Sequence, residues 1–300
     1  MSIEYLHIAE YNRIFGLGTL HPLVNIVDFS KSEPIKGIPR SILGFYTISL
    51  KQDKGSGLKY GRNYYDFDEG TLVFFAPGQV VEMEFQPEEF KPTGYAVQFH
   101  PEFIRNTSLG HSINNYSFFS YEVHEALHLS EDERRIVIDC LMKIESELRH
   151  PIDKHSKSLV VSYIELLLNY SIRFYDRQFI TRSDISVDVL ARFEKLMNEY
   201  FITSQQLTSG LPSVKYCADK LCFSPNYFGD LIKKETGKSP QEHIQLKVIN
   251  MAKEKIFEHG KTISEVAFEL GFKHPQHFSK LFKQIVGTTP GEYRSFNRVN

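Results

Sequence analysis

Residues 262–294 read TISEVAFELGFKHPQHFSKLFKQIVGTTPGEYR. Thr262 and Glu265 have the spacing of a capping box, which predicts the start of a helix. Gly271 tolerates positive φ where the chain must turn, and Pro275 suits the first turn of a second helix. The apolar face of that second helix comprises Phe278, Leu281 and Phe282. The stretch therefore predicts two helices joined by a short turn.

The same pattern occurs earlier in the chain. ADKLCF at 218–223 aligns with AFELGF at 267–272 at an offset of 49 residues, which becomes 50 after a one-residue slip. The further matches are Phe228 with Phe278, Leu231 with Leu281, Lys233 with Lys283, Gly237 with Gly287, Pro240 with Pro290 and Glu242 with Glu292. The agreement predicts one unit present twice, at about 213–236 and 262–286. Each copy is predicted to be a helix-turn-helix that presents its second helix to the major groove of DNA.

A long helix is predicted between the two copies. Residues 239–260 begin with a Ser239/Glu242 capping box and end at Gly260. About 20 residues at 1.5 Å each span about 30 Å, close to one turn of B-DNA at about 34 Å. The spacing therefore predicts two recognition helices in successive major grooves of double-stranded DNA.

Four motifs lie in the second copy and just beyond it. They are A-F-E-L-G-F at 267–272, F-S-K-L-F-K at 278–283, G-x-T-P at 287–290 and Y-R at 293–294. Together they resemble the C-terminal signature of the AraC/XylS family of bacterial transcription regulators, over about residues 187–297. The resemblance implies a seven-helix DNA-binding domain, an N-terminal cupin-like β-barrel with dimerisation helices, and activation through contact with RNA polymerase. Segment 61–79 is similar to the cupin-type segment of such regulators.

Candidate DNA contacts lie on the outward faces of the two recognition helices. Base contacts are predicted for Asn226, Tyr227, Asp230, Gln276, His277 and Lys280. Gln suits adenine, Lys suits guanine, and Asp can accept a hydrogen bond from cytosine N4. Phosphate contacts are predicted for Ser224, Lys233, Lys234, Lys273 and Lys283. The alternative for each residue is a solvated helix face.

Length, composition and charge agree with two parts of different character. The chain has 300 residues, of which 41% are hydrophobic and 24% charged, as in ordinary globular domains. Residues 205–300 hold 14 Lys+Arg and 9 Asp+Glu, a balance of +5, whereas residues 1–204 hold 21 and 28, a balance of −7. A polyanionic partner is therefore expected for the C-terminal part alone. Without a run of about 18 uncharged apolar residues or a basic leader, the protein is expected in the cytoplasm, away from membranes.

The N-terminal part combines strands with helices. Short apolar runs broken by turn residues predict strands over about 20–105, and helices are predicted over about 130–178, the first capped by Ser130 and Glu133. The predicted fold is α+β with two domains, 1–182 and 186–300. The first is a cupin-like β-barrel with flanking helices, as the family resemblance implies. The second is an all-α domain with two helix-turn-helix units joined by a long helix.

The barrel is a candidate sensor of a small-molecule effector. Its candidate lining is Tyr46, Tyr64, Phe74, Met83, Tyr95 and Phe99, although aromatic strand positions also serve as plain core. The metal form of the cupin fold needs an HxH motif, and the chain has none. No metal and no cofactor are therefore expected. The thiols of Cys140, Cys217 and Cys222 are expected to be reduced and buried.

Catalysis is not expected from the sequence. It lacks GxSxG, P-loop, GxGxxG and HExxH motifs. The expected function is a sequence-specific, effector-responsive transcription regulator, with activation implied by the family resemblance. Two alternatives remain, an enzyme-like N-terminal part fused to the same DNA-binding domain and a ligand-free dimerisation barrel. The broad apolar face of the helix at about 154–178 could form a homodimer contact or pack only on its own strands.

Overall fold

The chain divides into a sheet-containing N-terminal unit, Met1–Thr181, and a helical C-terminal unit, Arg182–Asn300. A computed structural model describes residues 4–34, 37–52, 58–60, 63–64, 70–84, 91–121, 125–181 and 183–296. The expected combination of an N-terminal sheet region with a C-terminal helical region is confirmed. Within the described ranges, no helix is long and apolar enough to cross a membrane.

In the described part of the N-terminal unit, ten strands form two five-stranded sheets. The strands are β1 Glu4–Leu6, β2 Val24–Asp28, β3 Gly37–Leu43, β4 Tyr46–Lys51, β5 Leu58–Tyr60, β6 Asn63–Tyr64, β7 Thr71–Phe75, β8 Val80–Glu84, β9 Gly94–Phe99 and β10 Leu127–His128. The first sheet has the order β1-β3-β8-β5-β6 and the second β10-β7-β4-β9-β2. The paired strands are antiparallel except β1 with β3.

The two sheets share a hydrophobic core. Alternate residues of the second sheet, including Val73, Phe75 and Ala96, belong to one buried cluster with Leu43 and Val81 of the first sheet. Successive side chains of a strand point to opposite faces, so the face of the second sheet that carries Ala96 is turned towards the first sheet. The opposite face is buried under helical segments.

Helices complete the N-terminal unit. They are α1 Ile8–Ile14, α2 Pro101–Ile104, α3 Ser108–Ser112, α4 Glu131–Arg149 and α5 Ser156–Thr181. The predicted capping box of α4 is confirmed, because Ser130 accepts a hydrogen bond from the backbone N–H of Glu133 and the Glu133 side chain accepts one from the backbone of Ser130. Arg177 of α5 donates to both carboxylate oxygens of Glu133, at 3.0 and 2.6 Å, which ties the two long helices together.

Eight helices occupy the described part of the C-terminal unit. They are α6 Ser183–Ile202, α7 Gln205–Ser209, α8 Val214–Leu221, α9 Pro225–Thr236, α10 Pro240–Lys255, α11 Ile263–Glu269, α12 Pro275–Val286 and α13 Pro290–Phe296. The rings of Phe193 on α6 and Phe228 on α9 meet edge to face at 5.1 Å, and both are fully buried. Helix α6 therefore supplies part of the core on which α9 rests.

The connecting helix α10 is shorter than predicted. Its capping box at Ser239 and Glu242 is present, but the helix ends at Lys255 and not at Gly260. After that point the backbone N–H groups of Phe257 and Glu258 bond three residues back, which tightens the chain into turns. Sixteen residues correspond to about 24 Å instead of the expected 30 Å.

Candidate nucleic-acid interface

The repeated segments form two pairs of helices, the first helix pair (α8 and α9) and the second helix pair (α11 and α12). Ser213 caps α8 and Thr262 caps α11, each accepting a hydrogen bond from the backbone N–H three residues on. Gly271 has the expected positive φ, 93°, in the turn of the second helix pair. The aligned residue in the first is Cys222, a non-glycine residue at φ 64°.

The structure corrects the prediction that the thiol of Cys222 is buried. Its side chain is exposed, whereas Cys140 and Cys217 are buried as expected. Burial raises the pKa of the Cys217 thiol to about 11. Cys222 is exposed because its positive φ places it in the turn between α8 and α9, outside the apolar face of α8.

Helix α9 buries part of its predicted contact surface. The Tyr227 side chain is only 6% exposed, because its ring stacks on Phe223 at 5.6 Å. The expectation that Tyr227 faces outward is therefore wrong. Ser224 is also buried, and its hydroxyl accepts the backbone N–H of Tyr227 as the helix cap, which removes it from the phosphate contacts. Asn226 is exposed and Asp230 partly exposed.

Helix α12 separates its faces more completely. Phe278 and Phe282 are fully buried, whereas Gln276, His277 and Lys280 are exposed together. These three residues align with Asn226, Tyr227 and Asp230 of the first helix pair. The predicted phosphate contacts Lys233, Lys234, Lys273 and Lys283 are exposed as well. The second helix pair thus exposes polar and cationic side chains on and beside α12.

Residues 217–295 match a family model described as a helix-turn-helix domain. The segment is therefore similar to a helix-turn-helix domain. The match begins inside α8 and ends inside α13, so it includes both helix pairs and α10.

Several curated proteins and solved structures are similar to parts of the chain. An uncharacterized HTH-type transcriptional regulator, YtdP of Bacillus subtilis, is 36% identical over 81 residues, 27% of this chain and 10% of its own length. A second from the same organism, YobQ, is 30% identical over 105 residues, 34% of this chain and 44% of its own length. The solved DNA-binding domain of AdpA in complex with a target DNA is 21% identical, with a TM-score of 0.31, and the match covers 38% of this chain and 93% of that one. The chain spans less than half the length of these two curated relatives.

An ion-pair network joins α10 to α11 in the segment that matches the helix-turn-helix domain. Glu269 of α11 lies 3.2 Å from the Nζ of Lys255 and 2.6 Å from that of Lys261, and Lys261 also lies 2.5 Å from Glu258. Hydrogen bonds from Lys261 hold the pKa of the Glu269 carboxyl below its ordinary value. The sequence shows only the three-residue spacing of Lys255, Glu258 and Lys261. It does not predict the contacts of the two lysines with Glu269.

Four of the six candidate effector residues lie on the face of the second sheet that is turned away from the first sheet. Phe99 stacks on Tyr46 at 5.0 Å, and Phe74 packs at 4.3 Å on Phe118 in the 3-10 turn Ser117–Ser120. By strand alternation, Tyr95 shares this face with Phe99. It is opposite to the face that meets the first sheet, so the prediction that these four residues line the space between the sheets is wrong. The side chains of Tyr64 and Met83 lie outside the described residues.

Proposed function

We propose that the chain is a sequence-specific regulator of transcription that binds double-stranded DNA through an AraC-type helix-turn-helix domain at residues 217–295. The observation that carries the proposal is the duplicated helix pair on the two sides of α10. In each pair the second helix buries its apolar face in the domain and leaves polar side chains exposed. Two helices presented in this way suit two successive major grooves.

The exposed side chains divide into two roles. Base contacts are proposed for Asn226, Asp230, Gln276, His277 and Lys280, because amide, carboxylate, imidazole and ammonium groups can pair with base edges. Phosphate contacts are proposed for Lys233, Lys234, Lys273 and Lys283, which position the protein without reading sequence. The excess of Lys and Arg over acidic residues in 205–300 supports both roles.

The names of the two Bacillus relatives support a role in transcription regulation. Both Bacillus relatives are named as HTH-type transcriptional regulators, in agreement with the helix-turn-helix match over residues 217–295. For the N-terminal unit, the two packed sheets support a cupin-like barrel that senses a small molecule. Activation through contact with RNA polymerase is proposed from the family resemblance alone.

Helix α5 supports a homodimer. Its line of Val160, Ile164 and Leu167 is buried, but Leu159 and Leu166 on the neighbouring line are each 44% exposed. Residues seven apart lie on the same side of a helix, so the two leucines form an apolar stripe two turns long. A second copy of α5 would cover that stripe in an isologous contact.

Mapping of bound DNA across the genome, followed by hydroxyl-radical footprinting of the strongest site, tests the proposal. The expected footprint has two protected patches on one face of the duplex, with centres about one helical turn or 34 Å apart. The bound sites would also reveal which neighbouring genes are regulated. A single short patch, or no protection on any genomic fragment, would contradict the two-helix arrangement.

A further inference from the structure

A row of polar side chains crosses the second sheet of the N-terminal unit. Asn25 of β2 is in register with Gln98 of β9, and Gln98 is in register with Thr47 of β4. The three strands are neighbours, so the residues form one line across the sheet, here called the polar row. By strand alternation the polar row shares the face of Ala96, which meets the first sheet.

The polar row is buried and incompletely hydrogen-bonded. Asn25, Thr47 and Gln98 are 1%, 3% and 0% exposed. Four of their atoms, Asn25 Nδ2, Thr47 Oγ1, and Gln98 Nε2 and Oε1, have no hydrogen-bond partner in the described part of the chain. Buried polar groups in native proteins nearly always have a partner, and unpaired ones lower stability. Three such residues in one register line are therefore unfavourable unless something else binds them.

The orientation of the amides determines what a partner must offer. Asn25 Oδ1 accepts the backbone N–H of Leu20 at 2.8 Å, which leaves its Nδ2 as a donor. Neither polar atom of Gln98 has a partner among the described residues, so its amide presents a donor and an acceptor side by side whichever way it is placed. Thr47 adds a hydroxyl that both donates and accepts.

We infer that the polar row binds a small uncharged ligand in which a donor and an acceptor are adjacent, as in a carboxamide, a lactam or a vicinal diol. A carboxylate or phosphate could accept from the two amide nitrogens but could not donate to Gln98 Oε1, and it would meet no cation in the row. An ammonium group could donate but could not accept from those nitrogens. This inference rests on the proposed role of the N-terminal unit as a sensor and places the sensing site between the sheets.

The buried Gln178 of α5 provides a matched control for Gln98. Gln178 is 1% exposed, but its Nε2 donates to the Ala126 carbonyl and its Oε1 accepts the backbone N–H of His128. Gln98→Met removes two unpaired polar atoms, whereas Gln178→Met breaks two hydrogen bonds. In the unliganded full chain, Gln98→Met should raise the Tm of the N-terminal unit by about 2–4 °C, and Gln178→Met should lower it by at least as much. If Gln98→Met fails to fold, Thr47→Val takes its place in the test. This variant keeps the side-chain volume, removes one unpaired hydroxyl and should also raise the Tm.

Thermal-shift measurements with defined probes complete the test. Acetamide, nicotinamide and uracil represent amides, glycerol and inositol represent diols, and acetate and inorganic phosphate represent anions. At least one uncharged probe should raise the Tm of the wild-type chain and leave that of Gln98→Met unchanged. The inference is overturned if no uncharged probe stabilises the wild type, if only anions do, or if Gln98→Met is destabilised like Gln178→Met, which would indicate bound water.

Footprinting of the same preparations separates this inference from the proposed function. Stabilisation by an uncharged probe without any DNA protection would retain the ligand site and overturn the proposed regulator. A two-patch footprint together with silence of every uncharged probe would retain the regulator and overturn the ligand site.

Discussion

The two helix pairs of the C-terminal unit share a backbone plan but differ in how they are held. Both end their second helix at a glycine with positive φ, Gly237 and Gly287. The first pair has Cys222 in its turn and a Ser224 cap, whereas the second has Gly271 in its turn, no side-chain cap at His274 and the Glu269 ion pairs. The two helix pairs share their apolar positions, which determine the common backbone arrangement. They differ in the turn residue, the helix cap and the exposed face.

The turn glycine of the second helix pair should produce the largest effect. A Cβ at Gly271 would lie 3.0 Å from the backbone oxygen of Gln206 and 3.1 Å from the carbonyl carbon of Gly210, in addition to the cost of positive φ. Gly271→Ala should therefore lower the free energy of unfolding by about 2–4 kcal/mol in urea titrations followed by circular dichroism. Gly237→Ala, where φ is positive but no atom is within 4 Å, should cost only about 1 kcal/mol. Equal losses would show that crowding against α7 is unimportant.

Gln276 and Asn226 occupy aligned positions on α12 and α9, the two proposed recognition helices. Gln276→Ala should weaken binding by about 1–3 kcal/mol at one base position and leave non-specific affinity unchanged. Asn226→Ala should have a smaller effect, because its neighbours are a buried Tyr227 and an acidic Asp230. Fluorescence anisotropy with the operator and its single-base variants measures both. A uniform loss for Gln276→Ala over all sequences would assign it to phosphate contact instead.

The turn of the first helix pair can be made more like the second. Cys222→Gly removes the cost of positive φ but adds freedom to the unfolded chain, so the net stabilisation should be about 0.5 kcal/mol. Cys222→Ala keeps the positive φ and serves as the control in the same urea titration. Stabilisation by alanine equal to that by glycine would mean that the backbone at Cys222 is unstrained.

Removal of the Glu269 ion pairs should have the smallest effect on the free energy of unfolding, and this effect should depend on pH. Because the folded pKa of Glu269 is lowered, its stabilisation is present above the ordinary glutamate pKa of about 4.3 and is lost as the pH falls through the folded value. Glu269→Gln should cost a few tenths of a kcal/mol near neutral pH, since the pairs are partly exposed. The difference from wild type should vanish in acid unfolding series. A constant difference at all pH values would point to packing instead of charge.

Local signals in the sequence were sufficient for much of the C-terminal unit. The capping boxes at Thr262 and Ser239 and the positive φ of Gly271 depend on residues a few positions apart, and all three are confirmed. Tyr227 was misjudged because helical spacing places it beside Asn226, whereas stacking on Phe223 decides its burial.

Long-range contacts explain the remaining errors. Alternation along β4, β7 and β9 shows which residues share a face, but not which face meets the other sheet, so the candidate effector residues were assigned to the wrong side. The polar row is not predicted from the sequence for the same reason, since its register joins strands far apart in sequence. The pairing of Glu269 with Lys255 depends on the turn after α10, which tightens before the predicted end of that helix.

The continuity of α10 has a mechanical consequence. One residue inserted into an unbroken α-helix advances everything beyond it by about 1.5 Å and rotates it by about 100°. Helix α10 and the tight turns that follow it set the spacing of the two helix pairs, so an operator with altered half-site separation would have to be accommodated mainly by twisting or bending of the duplex. The DNA, and not the protein, would then have to deform on binding. Its local stiffness would contribute to target selection at base pairs that no side chain contacts.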